Sequence, residues 1–412
     1  MTDLTLQKKL DQKELEVNAL LEITQAVNNN LPEESLYKIF EFTLRANLQL
    51  DKMVLYVLEE EWECKVQFGT SRDFREVEIG EGCLSITTAK LVKEVDLEVP
   101  CFSEFDIIIP VKHKERLLAF VFAKVKEDES VVDTTFIQAL SNIILVAIEN
   151  KRLARKQLEQ QAIQRDIEIA SNVQNYLFPK SLPKTEQLEI EAFYRPCKTV
   201  GGDYYDFIPL EKEGQFVVCI ADVSGKGIPA AILMSNFQAV LRTLSRTAKT
   251  PVQVIEDLNY QLFQNANGEN FITFFLAVYD FNTKELRYIN AGHNPPMLMN
   301  GEAKITRLTE GTTVLGAFEP LPFLNMGSVQ NLDEFSLFLF TDGLVETFND
   351  EDEEFGAERL EQFLESKYGE PLNNMHGELI ETLNTFRGKQ SYSDDLTFLS
   401  CKVNNNGSVQ NS

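Results

Sequence analysis

The chain has 412 residues, 43% of them hydrophobic and 25% charged, with a formal charge of −25 at pH 7. That length allows about two or three domains of ordinary globular composition. So acidic a balance argues against general binding to nucleic acid or to an anionic membrane, since both need a basic surface, and reads first as solubility. The opening MTDLTLQKKLDQKELEV is charged and holds no apolar leader, and the longest apolar runs, such as IILVAI at 143–148, are too short to span a bilayer. Six cysteines (Cys64, Cys83, Cys101, Cys197, Cys219, Cys401) lack paired, CxxC or Cys/His spacing. They read as reduced thiols of a cytoplasmic protein.

In chain order, residues 8–29 are charged, with apolar positions at helical spacing: Leu10, Leu15, Val17, Leu20, Leu21 and Ile23. A second helix is expected from Pro32 to Leu48, burying Leu36, Ile39, Phe40 and either Phe42 or Leu44. Strands follow in KMVLYVLE, ECKVQFG and DIIIPVKHKERLLAFVFAKV, the last broken by HKER as a hairpin turn. A helix then starts near Asp133 and runs through FIQALSNIILVAIEN. Helix, strands, hairpin and helix make an α+β plan for residues 1–149. That order, and the hairpin IIIPVKHKERLLAFVFAK, resembles a GAF domain, a sensory module. The turn glycine usual in that family is replaced by His113-Lys114-Glu115-Arg116. The resemblance implies a regulatory role, with a small molecule or protein as possible activator.

Residues 150–179 lack glycine, are rich in charge and end at Pro179. Ile163, Ala170 and Leu177 recur at intervals of seven, with Ile167 and Val173 on adjoining positions. This reads as a helical linker with a narrow coiled-coil seam, continuing the preceding helix and supporting a parallel homodimer. The alternative is one amphipathic helix packed on the next domain.

Residues 180–404 alternate strand-like and helical segments. EIEAFYR, DYYDFIPL, GQFVVCIADV, NFITFFLAVYDF, ELRYINAG, PPMLM, SLFLFTDG and LTFLSCKV read as strands. ILMSNFQAVLRTLSRT, PVQVIEDLNYQLFQN and AERLEQFLESKYG read as helices. The expected fold is a sandwich of two antiparallel sheets flanked by helices. The tail 405–412 is polar and expected to be disordered.

Four aspartates stand in four short motifs of this region: Asp203 in VGGDYYDF, Asp222 in ADVSGKG, Asp342 in FTDGLVE and Asp394 in SDDLT. Carboxylates gathered from distant strand ends repel, so one must protonate or a cation must join them. Oxygen ligands without histidine suit Mg2+ or Mn2+. Gly201 and Gly202 read as a sharp turn before Asp203, and Gly225 and Gly227 open the loop ahead of a helix near Pro229. The Gly-Lys-Gly at 225–227 lacks the GxxxxGK[ST] spacing of a P-loop.

The ordered set EIASNVQNYLFP, VGGDYYDF, IADVSGKGIPAAILM, ITFFLAVYD, INAGHNPP, LFTDGLVE and SDDLTFL, over residues 168–399, resembles the SpoIIE-type, RsbU-like phosphatases of the PPM (type 2C) family. The resemblance implies a serine/threonine phosphatase with two Mn2+ or Mg2+ ions and a bridging water that attacks phosphorus in line. Carried across, Asp203 and Asp222 are metal ligands, with Asp222 bridging and the Val223 carbonyl beside it. Asp342 and Asp394 complete the set, and Asp395 shares or replaces the role of Asp394. A phosphorylated STAS-type anti-sigma factor antagonist is the implied substrate, within a partner-switching pathway. Where relatives carry Gly-Asp before the LFTDG strand, this chain has Asp333-Glu334, which shifts a turn and leaves the ligand set intact.

Other residues keep two readings each. Asp206 is an outer partner of the metal site or an exposed strand-end carboxylate. His293 is a general acid or a turn histidine. Arg195 meets substrate phosphate or lies on a strand surface. The acidic run 349–356 reads as a solvated connector. GGDYYDF also shares letters with the GGDEF signature of diguanylate cyclases, but TDG and SDD have no place in that fold. Beside the enzyme stands the alternative of a latent or non-catalytic scaffold, because the helices after Pro229 flank the Asp222 loop and a shift there would move a ligand.

Overall fold

The computed structural model describes residues 3–404 apart from 49, 114–115, 126–133, 211–213, 248–249, 267–269 and 302. The expected disorder of 405–412 and the centre of the HKER turn therefore lie outside the described residues. The chain divides into two units, Met1–Gln161 and Ala162–Ser412.

In the first unit, helices α1 (Asp3–Asn28) and α2 (Glu33–Leu48) precede strands β1 (Leu50–Leu58) and β2 (Trp62–Phe68). A short α3 (Glu81–Leu84) and β3 (Lys90–Leu91), absent from the sequence reading, come before the hairpin β4 (Ile107–His113) and β5 (Arg116–Val125). The sheet order is β2-β1-β5-β4-β3, antiparallel throughout. Alternation along β1 sends Met53, Leu55 and Val57 to one core and Val54 and Tyr56 to another. The first core receives the helices. On α2 the buried stripe is Leu36, Phe40 and Leu44, while Phe42 is 73% exposed. On α1 the expected stripe holds for Ile23, which is buried, and Leu20, which packs against the core, and is corrected for Leu10, Leu15, Val17 and Leu21, which are exposed, while Ala19 and Ala26 complete the inward face. The second core is aromatic. Phe102 stacks on Phe122 at 4.3 Å between centroids, with Tyr56, Phe74 and Phe105 around them.

Helix α4 (Thr134–Asn175) is continuous for 42 residues. No glycine or proline interrupts that span. Leu158, Ile163, Ile169 and Val173 along it are exposed.

The second unit continues with β6 (Leu188–Arg195), β7 (Tyr204–Pro209), β8 (Gln215–Val223), α5 (Ile228–Thr247), α6 (Pro251–Ala266), β9 (Ile272–Asp280) and β10 (Glu285–Ala291). Short strands β11 (Met297–Met299), β12 (Ile305–Arg307), β13 (Gly311–Thr312) and β14 (Gly327–Val329) lead to β15 (Glu334–Phe340). Helices α7 (Asp342–Val345), α8 (Gly356–Ser366) and α9 (Leu372–Arg387) precede β16 (Leu396–Asn404). Helix α9, which the sequence reading passed over, buries Leu372, Met375, Leu379 and Leu383.

Two sheets form. One has the order β13-β10-β9-β8-β7 with β14 also on β10, and the other runs β12-β11-β15-β16-β6. Their pairings are antiparallel except the short β10–β13 pair, which is parallel. Strands buried on both faces read as unbroken apolar runs. In β8, Phe216, Val218 and Ile220 enter the core between the sheets, while Val217, Cys219, Ala221 and Val223 face α5 and α6. In β15 and β16, Leu337, Leu339, Leu399 and Cys401 enter the same central core, while Phe338, Phe340 and Phe398 face α8 and α9. The layers are therefore helix pair, sheet, sheet and helix pair. Among the described residues no helix is long and apolar enough to cross a membrane.

Candidate metal centre

The period of two decides where the carboxylates go. Asp222 continues the face of Val218 and Ile220, and Asp203 the face of Tyr205 and Phe207. Thr341, Asp395 and Thr397 continue the face of Leu337, Leu339 and Leu399. All five positions open onto the end of the layer between the sheets. Asp342 begins α7, two residues past the end of β15.

Asp203 is buried, and its Oδ2 accepts hydrogen bonds from Thr341 Oγ1 (2.8 Å) and from Thr397 Oγ1. Burial and the neighbouring Asp222 hold its carboxyl well above the usual range. Asp222 is pushed up to about 7 by burial and by Asp342 and Asp394. Asp342 is raised by burial and by Asp394. Glu346, one turn along, is raised by burial and by Asp342. The donors are hard oxygens that repel one another, which is the chemistry a divalent Mg2+ or Mn2+ satisfies.

Asp394 and Asp395 have different surroundings. Asp395 Oδ1 accepts the Cys197 N–H (2.8 Å) and its Oδ2 the Gly202 N–H (2.7 Å), so this side chain fastens the loop ahead of Asp203. Asp394 is more open. Its Oδ2 pairs with Lys226 Nζ at 2.6 Å, and its Oδ1 accepts the Asp395 N–H at 2.8 Å. Asp395 also explains two glycines. A Cβ on Gly201 would lie 2.3 Å from Asp395 Oδ2, and one on Gly343 would lie 2.1 Å from the Asp395 carbonyl. Close approach, rather than the turn expected from sequence, is what Gly201 provides. The Val223 carbonyl faces the same loop, 2.9 Å from a Cβ on Gly202.

Several contributors carried no role in the sequence reading. Gln174, near the end of α4, is buried and brackets one residue: its Nε2 donates to the Gly201 carbonyl (2.7 Å) and its Oε1 accepts the Gly201 N–H (3.3 Å). Phe178, three residues past α4, packs its ring on Tyr194 at 4.6 Å and Tyr205 at 5.0 Å. Both belong to EIASNVQNYLFP, a segment visible as a motif but without chemistry of its own. Thr341 and Thr397 precede and follow visible aspartates, and Lys226 sits in the Gly-Lys-Gly loop.

The open alternatives resolve. Asp206 is neither an outer partner nor exposed: it is fully buried and takes Arg242 of α5 in two bonds, Nε to Oδ2 at 2.7 Å and Nη2 to Oδ1 at 3.0 Å, with the Tyr204 hydroxyl. His293 is buried and bridges the sheets. Its Nε2 lies 3.1 Å from the Phe340 carbonyl and so carries the proton, leaving Nδ1 to accept from Thr273 Oγ1 at 2.8 Å. Burial lowers its pKa to about 4, which suits a structural histidine and not a general acid. Arg195 is an exposed strand-end residue lying over the Tyr392 ring at 5.0 Å. The 349–356 run is mostly exposed, as a connector should be, though Asn349 and Phe355 are buried.

The family model for Stage II sporulation protein E (SpoIIE) matches residues 212–404. The phosphoserine phosphatase RsbU of Bacillus subtilis (strain 168) is 43% identical over 136 residues, 33% of this chain and 40% of that protein. The matched region, residues 212–404, is thus similar to the SpoIIE family and the chain to a phosphoserine phosphatase of that kind. The phosphoserine phosphatase RsbP of the same strain is 24% identical over 240 residues, 57% of either chain. The chain thus spans 40% and 57% of these relatives' lengths. In fold, the chain is similar over 59% of its length to the SiaA-PP2C domain of Pseudomonas aeruginosa, with a TM-score of 0.53 at 20% identity over 97% of that domain. The family match contains Asp222, Asp342, Asp394 and Asp395 and begins after Asp203.

Proposed function

We propose that this protein is a metal-dependent protein serine/threonine phosphatase. Asp203, Asp222, the Val223 carbonyl, Asp342 and Asp394 would hold two Mg2+ or Mn2+ ions. The observation that carries the reading is the convergence of these carboxylates from four separated motifs at one end of the sandwich, in a domain related to two named phosphoserine phosphatases. Bound divalent ions would supply an activated water and a clamp on the phosphoryl oxygens. The chain's own part is positional. Thr341 and Thr397 orient Asp203, Asp395 holds the 197–202 loop, and Lys226 stands at the rim with a cation for a phosphoryl oxygen. Those contacts favour Asp394 as the direct ligand and Asp395 as the anchor.

The substrate in this reading is a phosphoserine or phosphothreonine of a STAS-type anti-sigma factor antagonist, in a partner-switching pathway. Residues 1–149 act as a GAF-like regulatory domain and 180–404 as the catalytic domain. Residues 150–179 are a helical linker that pairs two chains along the seam of Ile163 and Ala170 with the adjoining Ile167 and Val173, of which Ile163, Ala170 and Val173 are exposed. Regulation by a small molecule or protein would reach the centre through α4, whose Gln174 holds Gly201. The second reading, a latent or non-catalytic scaffold, is favoured by the position of α5 directly after the Asp222 loop.

The test is Mn2+-dependent hydrolysis of a generic phosphomonoester by wild type, Asp222→Asn and Asp342→Asn. Turnover in wild type that vanishes in both variants supports the phosphatase. Turnover that survives in both refutes the ligand set, and no turnover in any protein favours the latent or scaffold reading.

A further inference from the structure

One mixed set of metal-binding atoms converges among the described residues. Cys197 Sγ and carboxylate oxygens of Asp394 and Asp395 lie within 4.8 Å of one another. Cys197 stands on the segment between β6 and β7. Cys64, Cys83, Cys219 and Cys401 are buried, and Cys101 belongs to the other unit. Beside this set is an unsatisfied polar atom. Tyr194 Oη is buried and without a hydrogen-bond partner, and it approaches Gly201 from the same side as Asp395 Oδ2, 2.5 Å and 2.3 Å from the position of a Cβ there.

A thiol has no place in a hard-oxygen Mg2+ or Mn2+ shell, whereas sulfur with two carboxylates is a donor set for softer ions. We propose that Cys197, Asp394 and Asp395 form a second cation site, selective for a thiophilic divalent ion such as Zn2+, at the rim of the carboxylate centre. Tetrahedral zinc, with Zn–S of about 2.3 Å and Zn–O of about 2.0 Å, sets sulfur and oxygen roughly 3.5 Å apart. The three donor atoms lie within 4.8 Å of one another, and closing to that spacing is within reach of side-chain rotation because Cys197 and Asp394 are only half-buried. Both Asp395 oxygens already accept one backbone N–H, and each keeps a second lone pair. On binding, the S–H bond breaks, the sulfur electron pair forms the S–Zn bond, and the proton leaves to solvent. The ion also displaces Lys226 from Asp394. Taking Asp394 would inhibit turnover. That consequence rests on the phosphatase reading, whereas the site itself does not.

Cobalt(II) is the probe, because thiolate ligation gives it a near-ultraviolet charge-transfer band that carboxylates do not. The full chain, its Cys197→Ser variant and a Cys101→Ser control are titrated with Co2+, then with Zn2+. The expected result is a band in wild type and Cys101→Ser, absent from Cys197→Ser and abolished by Zn2+. Zinc affinity in Cys197→Ser falls by at least about tenfold while Mn2+ affinity holds. A wild-type chain without the band, or a band that survives in Cys197→Ser, overturns the site. In wild type alone, alkylation of Cys197 mapped by mass spectrometry should be blocked by Zn2+ and not by Mg2+; equal alkylation under both ions refutes the proposal whatever the variant's folding. None of these readouts needs turnover, so a failed phosphatase assay leaves them intact.

Discussion

Replacing Gln174 with alanine removes both partners of one buried peptide residue. Its amide donates to the Gly201 carbonyl at 2.7 Å and accepts the Gly201 N–H at 3.3 Å, and both residues are buried. A neutral hydrogen bond contributes about 1 kcal/mol net, and a buried group left unpaired costs about 1–3 kcal/mol. The 3.3 Å bond is the weaker, so the expected loss is about 2–3 kcal/mol rather than the sum of the maxima. The chain's single tryptophan, Trp62, lies in the N-terminal unit. Urea unfolding followed by far-ultraviolet circular dichroism and by Trp62 fluorescence can therefore place the loss: the dichroism transition should move and the fluorescence transition should not. Because Gly201 leads into Asp203, Mn2+ affinity measured by calorimetry should also fall by at least about tenfold. A Gln174→Ala protein with unchanged stability and unchanged Mn2+ affinity would show that the loop is held by other contacts, and the argument that α4 touches the centre through Gln174 would be wrong.

Further predictions rest on the same contacts. Gly201→Ala should weaken Mn2+ binding by forcing Asp395 off the Gly202 N–H, and Gly343→Ala should destabilise more, because its clash is with the Asp395 backbone, which cannot rotate away; calorimetry and urea melts separate the two. Arg242→Ala leaves the buried Asp206 with only the Tyr204 hydroxyl and the Phe207 N–H, a loss of about 1–3 kcal/mol once the partial exposure of Arg242 is allowed for, read in urea midpoints. His376 is buried with Nε2 on Ser400 Oγ, and burial lowers its pKa to about 3. The unfolded chain takes up that proton near pH 6.5 and the folded one does not, so the stability His376 allows at neutral pH is lost as pH falls below about 6.5. Between pH 7 and 4.5 wild type should lose roughly 2–3 kcal/mol more than His376→Gln; equal losses would refute the assignment.

How much of this was legible in sequence depended on whether a residue's role was set locally. The strands SLFLFTDG and LTFLSCKV were visible as apolar runs, and because each ends in an acidic motif, the meeting of their ends could be read as well. Helix α9 escaped because its apolar residues are interleaved with Asn, His, Glu and Thr, and its stripe is continuous only around the helix. On α1 the reading followed the largest apolar side chains, but space under that helix favours alanine, so Ala19 and Ala26 face inward while Leu10 and Leu21 do not. The site divides the same way. Aspartates announce themselves by charge; Gln174, Thr341 and Thr397 do not, since an amide or hydroxyl gains meaning only from the partner across the fold. Asp206 shows the reverse error, where a carboxylate three residues from a ligand belongs instead to an arginine 36 residues on.

The two sheets and the long helix constrain the centre in different ways. Asp222 and Asp395 sit at the ends of strands whose next residues are locked in the core between the sheets, and His293 ties one sheet to the other through Thr273 and Phe340. Those positions cannot shift without disturbing close-packed side chains. The 197–202 loop is different. It is held by two hydrogen bonds each from Asp395 and Gln174, and Gln174 is carried on a helix that begins in the other unit. A sliding or rotation of α4 by a fraction of a turn would break the Gln174 bonds and leave the strand-borne carboxylates in place. If regulation uses this helix, the quantity it changes should be the placement of Asp203 and hence metal affinity, with the sandwich itself unaltered. A titration of Mn2+ affinity at fixed fold stability, in variants with one residue inserted within 155–165, is the measurement that separates this from control through α5.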